Sequence, residues 1–304
     1  MNGLTHPNNF FTVWWKALRP KTLTLAITPV LAGNALAFAQ QGTLESLPII
    51  LTLIAAICVQ IGTNLYNDAA DFERGVDQPN RLGPARVVAS GLLPAWRVYK
   101  GAHIAFGLSW LAGSYLMWIG GWFILAIAVL STVAGYLYTA GPRPISTTPF
   151  GELTVFLFFG IAAVVGTVFL QTGEVNSASL ITGMVIGLPA AAVLMVNNYR
   201  DFKNDRLAGR RTLTIVIGPA RSISLFSFLM IAPLILIFAL APYLAGLIYW
   251  LWLPLAALFI ALRIIKSFRN TPVSPAFNSI LANTARYQTI FGALLSLSFL
   301  LSRW

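Results

Sequence analysis

The chain has 304 residues, of which 57% are hydrophobic and only 10% charged, with a mean hydropathy of +0.76. Soluble domains carry about 25% charged residues, so a soluble globule is excluded. Disorder is excluded with it, because disorder needs low hydrophobicity and high charge; an integral membrane protein remains. The single cysteine, Cys58, rules out a disulfide framework, and His6 and His103 are too few and too far apart for a histidine metal site. Net charge is +11. In a membrane chain such a surplus reports topology first, and no nucleic-acid partner is expected.

Residues 1–13 lack the apolar run and cleavage site of a secretory signal. Apolar stretches then recur to the end. They predict transmembrane helices over 22–40, 47–66, 99–119, 121–140, 150–171, 178–199, 220–240, 243–262 and 280–302. Each is near the ~20 residues a helix needs to cross a bilayer. Long unbroken apolar runs contradict a β-barrel. The expected architecture is all-α, one domain over 1–304, with nine transmembrane helices.

Positive residues fall at alternate connections: Lys16, Arg19 and Lys21, then Arg74 to Lys100, Arg143, Arg200 to Arg221, and Arg263 to Arg269. The opposite connections carry none, save Arg303 at the C-terminus. This pattern predicts a cytoplasmic N-terminus and an external C-terminus in the cytoplasmic (inner) membrane.

Six of the nine acids sit in two places on the basic side: Asp68, Asp71, Glu73 and Asp77, then Asp201 and Asp205. Carboxylates near hydrocarbon cost free energy unless paired or bound to a cation. Asp201 and Asp205 are i and i+4 on a helix, as are Asn67 and Asp71, so each pair shares a face. Hard oxygens without His or Cys suit Mg²⁺, usually shared with substrate phosphates. Arginines trail both motifs: Arg81, Arg86 and Arg97, then Arg206, Arg210 and Arg211, with Arg143 in a third loop. Guanidinium groups grip phosphate oxygens in pairs. Acid for Mg²⁺ beside base for phosphate predicts a diphosphate site. Asp71 and Asp205 are 134 positions apart, and each motif follows an even-numbered span, so a pseudo-symmetric bundle around one central cavity is expected.

Asn67-Asp68-Ala69-Ala70-Asp71 and Asp201-Phe202-Lys203-Asn204-Asp205 resemble the paired motifs of the UbiA-type intramembrane aromatic prenyltransferases, over essentially the whole chain. A further acid, usual four residues after the first motif, is replaced here by Gly75 and reappears at Asp77. Gly75-Val76-Asp77, the Asp77-to-Pro84 run, Asn197-to-Asp201 and Gly209-to-Leu213 resemble the menaquinone branch, which prenylates 1,4-dihydroxy-2-naphthoate. The resemblance implies Mg²⁺ on Asp68, Asp71, Asp201 and Asp205. It implies a polyprenyl diphosphate held by Asn67, Arg81, Arg86, Arg143, Arg210 and Arg211. An aromatic acceptor would meet a cavity bearing Asp77, Asn64, Tyr138, Asn197, Asn198, Arg19 and Lys21. The bilayer would receive the isoprenoid tail. Ionisation to an allylic cation, attack by the ring and loss of CO₂ are the implied chemistry.

Rival readings are the same fold acting on 4-hydroxybenzoate or another aromatic acceptor, and a transporter. Transporters place ionisable groups near the midplane, whereas these acids cluster at one interface. A CDP-alcohol type phosphatidyltransferase wants one compact acidic string, which is missing. Glu152 is read either as a residue of the cavity mouth or as a cap paired with Arg143. His103 is read as structural; Arg286 should face the interior or snorkel outward, and the resemblance favours a role near the cavity.

Overall fold

The structure is a computed structural model and describes residues 9–75 and 82–304. It is all-helical among the described residues. Helix α1 (Phe10–Leu18) starts on Asn9, whose side chain accepts from the Phe11 amide. It exposes Phe10, Phe11 and Trp15 and buries Val13 and Ala17 against Leu65, Ala69 and Val98. Such an amphipathic piece suits the membrane surface. It ends at Arg19, the one described non-glycine residue with positive φ (53°). Pro20 follows at the first position of α2 (Pro20–Gln41), where a missing N–H costs nothing.

Helices α3 (Ser46–Glu73), α4 (Ala95–Leu137), α5 (Gly151–Thr172), α6 (Ser177–Leu207), α7 (Leu213–Tyr243) and α8 (Leu247–Asn270) complete, with α2, seven spans long and apolar enough to cross a membrane. Helix α9 (Phe277–Leu301) is long enough but carries Asn278, Asn283, Arg286 and Gln288, and is not among the seven.

Helix α4 is a hairpin. Forty-three residues in one straight helix would reach about 65 Å. Yet Trp110 Nε1 donates to Thr132 Oγ1 at 3.1 Å, and the Phe106 and Tyr136 rings lie 4.5 Å apart. Gly121, at φ 56° and ψ −149°, makes the reversal. That region of backbone space is open to glycine almost alone. The expected break between 119 and 121 is therefore present, inside one continuous helical assignment.

Helical segments occupy the expected apolar stretches, but their ends lie elsewhere. Helix α3 runs seven residues past 66 and α6 eight past 199. Helix α8 runs to Asn270, so Arg263, Lys266 and Arg269 lie on helix rather than in a loop. Apolar composition stops at the edge of hydrocarbon, whereas i→i−4 hydrogen bonding does not.

Helices α2, α6, α7, α8 and α9 share the main core, with Leu36, Ile186, Met195, Phe226, Tyr287 and Phe291 fully enclosed. Helices α5 and α6 meet backbone to backbone. A Cβ on Gly160 would lie 2.5 Å from the Gly187 Cα and the Gly183 carbonyl oxygen. Small residues spaced by four are the usual device for such close contact in membranes. The contact coincides with a π-helical stretch, Leu157–Ala162. Large apolar residues such as Leu111, Trp118, Trp122, Phe228 and Phe259 face outward, as lipid contact requires.

Candidate active site

A cavity of about 990 Å³ opens among α2, α3, α4, α5, α6 and α9. Its polar end is lined by Arg19, Asn64, Asn67, Asp68, Asp71, Arg86, Asn197, Arg200 and Arg210; its far end by Met117, Ile124, Ile127, Phe159 and Leu170.

The first motif occupies the last turns of α3. Asn64, Asn67, Asp68 and Asp71 follow i, i+3, i+4, i+7 and so form one stripe. All four are buried. Asn64 Nδ2 donates to Thr22 Oγ1 (3.0 Å) and to the Leu18 carbonyl (3.2 Å), which anchors the start of α2. Thr139 Oγ1 donates to Asn67 Oδ1. Asp68 accepts from the Val87 and Val88 amides at 3.2 and 3.3 Å, and Arg19 lies 3.9 Å away. That grip holds the segment from which Arg86 reaches the Asn67 carbonyl (2.8 Å) and the Asp71 carboxylate (2.6 Å).

The second motif lies on the last turns of α6. Arg200 is fully buried and donates to both carboxylate oxygens of Asp201 (2.9 and 2.6 Å), to Asn197 Oδ1 and to Asn278 Oδ1 (2.8 Å each). Asn278 in turn donates to the Leu82 carbonyl at 2.9 Å. Past Leu207 the chain turns at Gly209 (φ 71°), and the Arg210 amide donates to the Asp205 carbonyl. The Arg210 side chain then spans both motifs: Nη1 lies 3.3 Å from Asp205 and Nη2 3.5 Å from Asp71. Carboxylates 134 positions apart are thus joined by one guanidinium.

The Arg210 Nε is buried without a hydrogen-bond partner. An unsatisfied cationic donor at the polar end of a cavity is a receptor for an anion. Among the described residues no three His, Cys, Asp or Glu side chains stand close enough to hold a metal by themselves. The carboxylate and amide oxygens fit a hard cation that completes its shell with substrate oxygens, and do not form a closed protein cage.

The remaining expected residues divide. Lys21, Tyr138 and Asn198 line the cavity. Tyr138 is half-buried, and loss of water around its hydroxyl, with Glu152 and Asp71 beside it, holds the phenol above its usual range. Asp201 and Asp205 do not line the cavity; Arg200 and Arg210 do. Arg143 and Arg211 are exposed, and the Arg211 amide donates to the Thr147 carbonyl. Asp77 and Arg81 lie outside the described residues. His103 sits among Tyr66, Tyr99 and Tyr136, in keeping with a structural role. Arg286, expected near the cavity, is instead exposed and bonds to Asn283, because its position on α9 faces away. Glu152 pairs with Asn198 rather than with Arg143. Arg200 and Asn278 are site residues that the sequence alone does not single out. A basic residue directly before Asp201 is the only signal for the first, and nothing marks the second.

The sequence profile of the UbiA prenyltransferase family matches residues 26–284. The chain is 30% identical over 297 residues to a 1,4-dihydroxy-2-naphthoate octaprenyltransferase of Bacillus subtilis (strain 168), covering 95% of this chain and 93% of that one. It is 31% identical over 300 residues to the protein of the same name in Escherichia coli (strain K12), covering 96% of each. A UbiA homolog from Archaeoglobus fulgidus, solved bound to DMAPP and Mg²⁺, shares the fold with a TM-score of 0.69 at 18% identity, over 94% of this chain and 98% of that one. The profile match across most of the chain, over a membrane bundle that joins two acidic motifs at one cavity, places this protein in the UbiA prenyltransferase family.

Proposed function

We propose that the chain transfers a polyprenyl group from polyprenyl diphosphate to 1,4-dihydroxy-2-naphthoate, releasing diphosphate and CO₂ and giving demethylmenaquinol. The observation that carries this reading is Arg210, which bridges Asp71 and Asp205 and keeps an unsatisfied Nε at the polar end of a long apolar cavity. The relatives' shared name supports the acceptor.

On this reading Arg86 and Arg210 take the diphosphate oxygens, helped by Asn67, with Arg143 and Arg211 at the rim. Asp68 and Asp71 line the acidic end of the cavity, Asp201 and Asp205 pair with the lining Arg200 and Arg210, and Asp71 and Asp205 are the pair on which Mg²⁺ would rest. Bound there, Mg²⁺ would supply charge against the leaving diphosphate. Arginine donors aimed at the leaving group lower the barrier to C–O cleavage and formation of an allylic cation. Ile124, Ile127, Phe159 and Leu170 surround the isoprenoid and exclude water, which would otherwise quench that cation. Asn64, Asn197, Asn198, Tyr138, Arg19 and Lys21 face the aromatic ring. The ring carbon bearing the carboxylate attacks the cation, and CO₂ leaves with its bonding pair returned to the ring.

The hairpin in α4 counts as two crossings and α9 as a further one, which gives nine spans arranged as two pseudo-symmetric halves. The one-sided distribution of Lys and Arg supports a cytoplasmic N-terminus and an external C-terminus. The test is diphosphate release in proteoliposomes supplied with polyprenyl diphosphate and the naphthoate. Release should require both substrates, stop with EDTA and resume with Mg²⁺. Acceptor-independent or EDTA-resistant release would count against the reading.

A further inference from the structure

Behind the cavity wall, on the first turn of α5, lies Glu152, only 4% exposed. It does not line the cavity itself; Asn198 and Tyr138, in front of it, do. Glu152 Oε1 accepts from Asn198 Nδ2 at 2.9 Å. Its second oxygen, Oε2, is buried and has no hydrogen-bond partner. Burying a carboxyl group this way is costly, and leaving half of it unsatisfied is costlier still. Packing between α5 and α6 would be served as well by an apolar residue. The acid needs another reason.

The reason lies in the geometry of an amide. Its oxygen accepts and its nitrogen donates, and the two lie in one plane on the same carbon, so fixing one fixes the other. With Nδ2 committed to Glu152, which does not line the cavity, Oδ1 is the amide atom left for the cavity that Asn198 lines. That oxygen makes no hydrogen bond among the described residues and is not buried from the cavity. It is therefore a fixed acceptor. A phenolic hydroxyl is a donor that must be met, and accepting its proton partway raises electron density in the ring.

We propose that Glu152 is a positioning residue for the aromatic acceptor: it locks the Asn198 amide so that Oδ1 receives a ring hydroxyl. The assignment rests on reading the cavity as the site of an aromatic prenyl acceptor. It extends that reading to a carboxyl group that never touches substrate and to the orientation of one amide. Diphosphate binding is left to Arg86 and Arg210. The consequence is a separation of the two substrates: disturbing Glu152 should weaken the aromatic partner and spare the prenyl donor.

The experiment varies the naphthoate and the prenyl diphosphate in turn, on purified protein, and reads a separate KM for acceptor and donor. Glu152→Leu should raise the acceptor KM about tenfold, as loss of one oriented hydrogen bond does, with the donor KM within twofold. Glu152→Gln, whose Oε1 still accepts from Asn198, should recover to within about threefold. Asn198→Leu should show the same split, and the double variant should be no worse than Asn198→Leu. A purely structural Glu152 would move both KM values or neither, and would leave the double variant additive; either result overturns the proposal. If Glu152→Leu does not accumulate, Asn198→Leu decides, since an unchanged acceptor KM there is equally fatal. A wild-type protein that prenylates a different aromatic acid refutes the naphthoate assignment alone, and the same split is then measured with that acid.

Discussion

Replacing Arg210 with Gln isolates the contact on which the active-site reading depends. The guanidinium is about as enclosed as its two partners, at 14% side-chain exposure against 7% for Asp71 and 10% for Asp205. It offers Nε, which has no hydrogen-bond partner, and two further nitrogens that lie against carboxylates. A hydrogen bond to a charged group is worth about 1.5–3 kcal/mol. Gln keeps a donor but loses the charge and the fork, so at least one such bond is lost. At about 1.4 kcal/mol per tenfold, kcat/KM for the prenyl diphosphate should fall about 10- to 100-fold. Arg210→Lys, with charge but no fork, should fall between. Arg263→Gln, at an exposed position outside the site, should stay within about threefold of wild type. The assay is initial-rate turnover with the donor varied at saturating acceptor, on variants whose melting confirms folding. A folded Arg210→Gln protein with wild-type kcat/KM would refute the assignment of Arg210 to the diphosphate.

Arg200→Met removes the cation that holds Asp201, Asn197 and Asn278 together. Breaking one side of a buried pair costs about 3–5 kcal/mol, and thermal unfolding in detergent should shift down accordingly; an unchanged melting point would show the network to be dispensable. Gly160→Val places side-chain carbon where the Gly187 backbone lies, so folded yield should collapse, while Gly75→Ala, with open space around its Cβ, should cost only its positive-φ strain. Glu45→Gln and Glu174→Gln, at connections on the face opposite the acidic motifs, should leave turnover within about twofold, as surface changes away from a site usually do. In a protein lacking Cys58, a cysteine placed at 75 or 205 should resist membrane-impermeant labelling from outside; modification there would reverse the proposed topology.

Much of the bundle is legible in the sequence because each crossing must show lipid an apolar surface about 20 residues long. Helix ends are not, because hydrogen bonding carries α3 and α6 on past the hydrocarbon, and the motifs ride on those extensions. The Gly120-Gly121 pair marks the reversal in α4, yet only contacts such as Trp110–Thr132 and Phe106–Tyr136 show that the two arms pack together. Spacing within each motif reveals which acids share a face. What spacing cannot carry is the partner. Asp68 is held by backbone amides of Val87 and Val88, which no side chain announces. Arg200 meets Asn278 across 78 positions, and Glu152 meets Asn198 across 46. The opposite case is Arg286, where a charge within a span fits either an inward or an outward side chain, the resemblance favours the cavity, and the residue is exposed.

Decarboxylating prenyl transfer to a bicyclic acid stands or falls on the mass of the product. Purified protein in lipid, with Mg²⁺ and a polyprenyl diphosphate, is offered 1,4-dihydroxy-2-naphthoate and 4-hydroxybenzoate in equal amounts. One dominant product is expected, the naphthalenediol carrying the prenyl chain and lacking the carboxyl group, with one CO₂ released per diphosphate. A prenylated product that keeps its carboxylate, or preference for the single-ring acid, would contradict the proposed reaction.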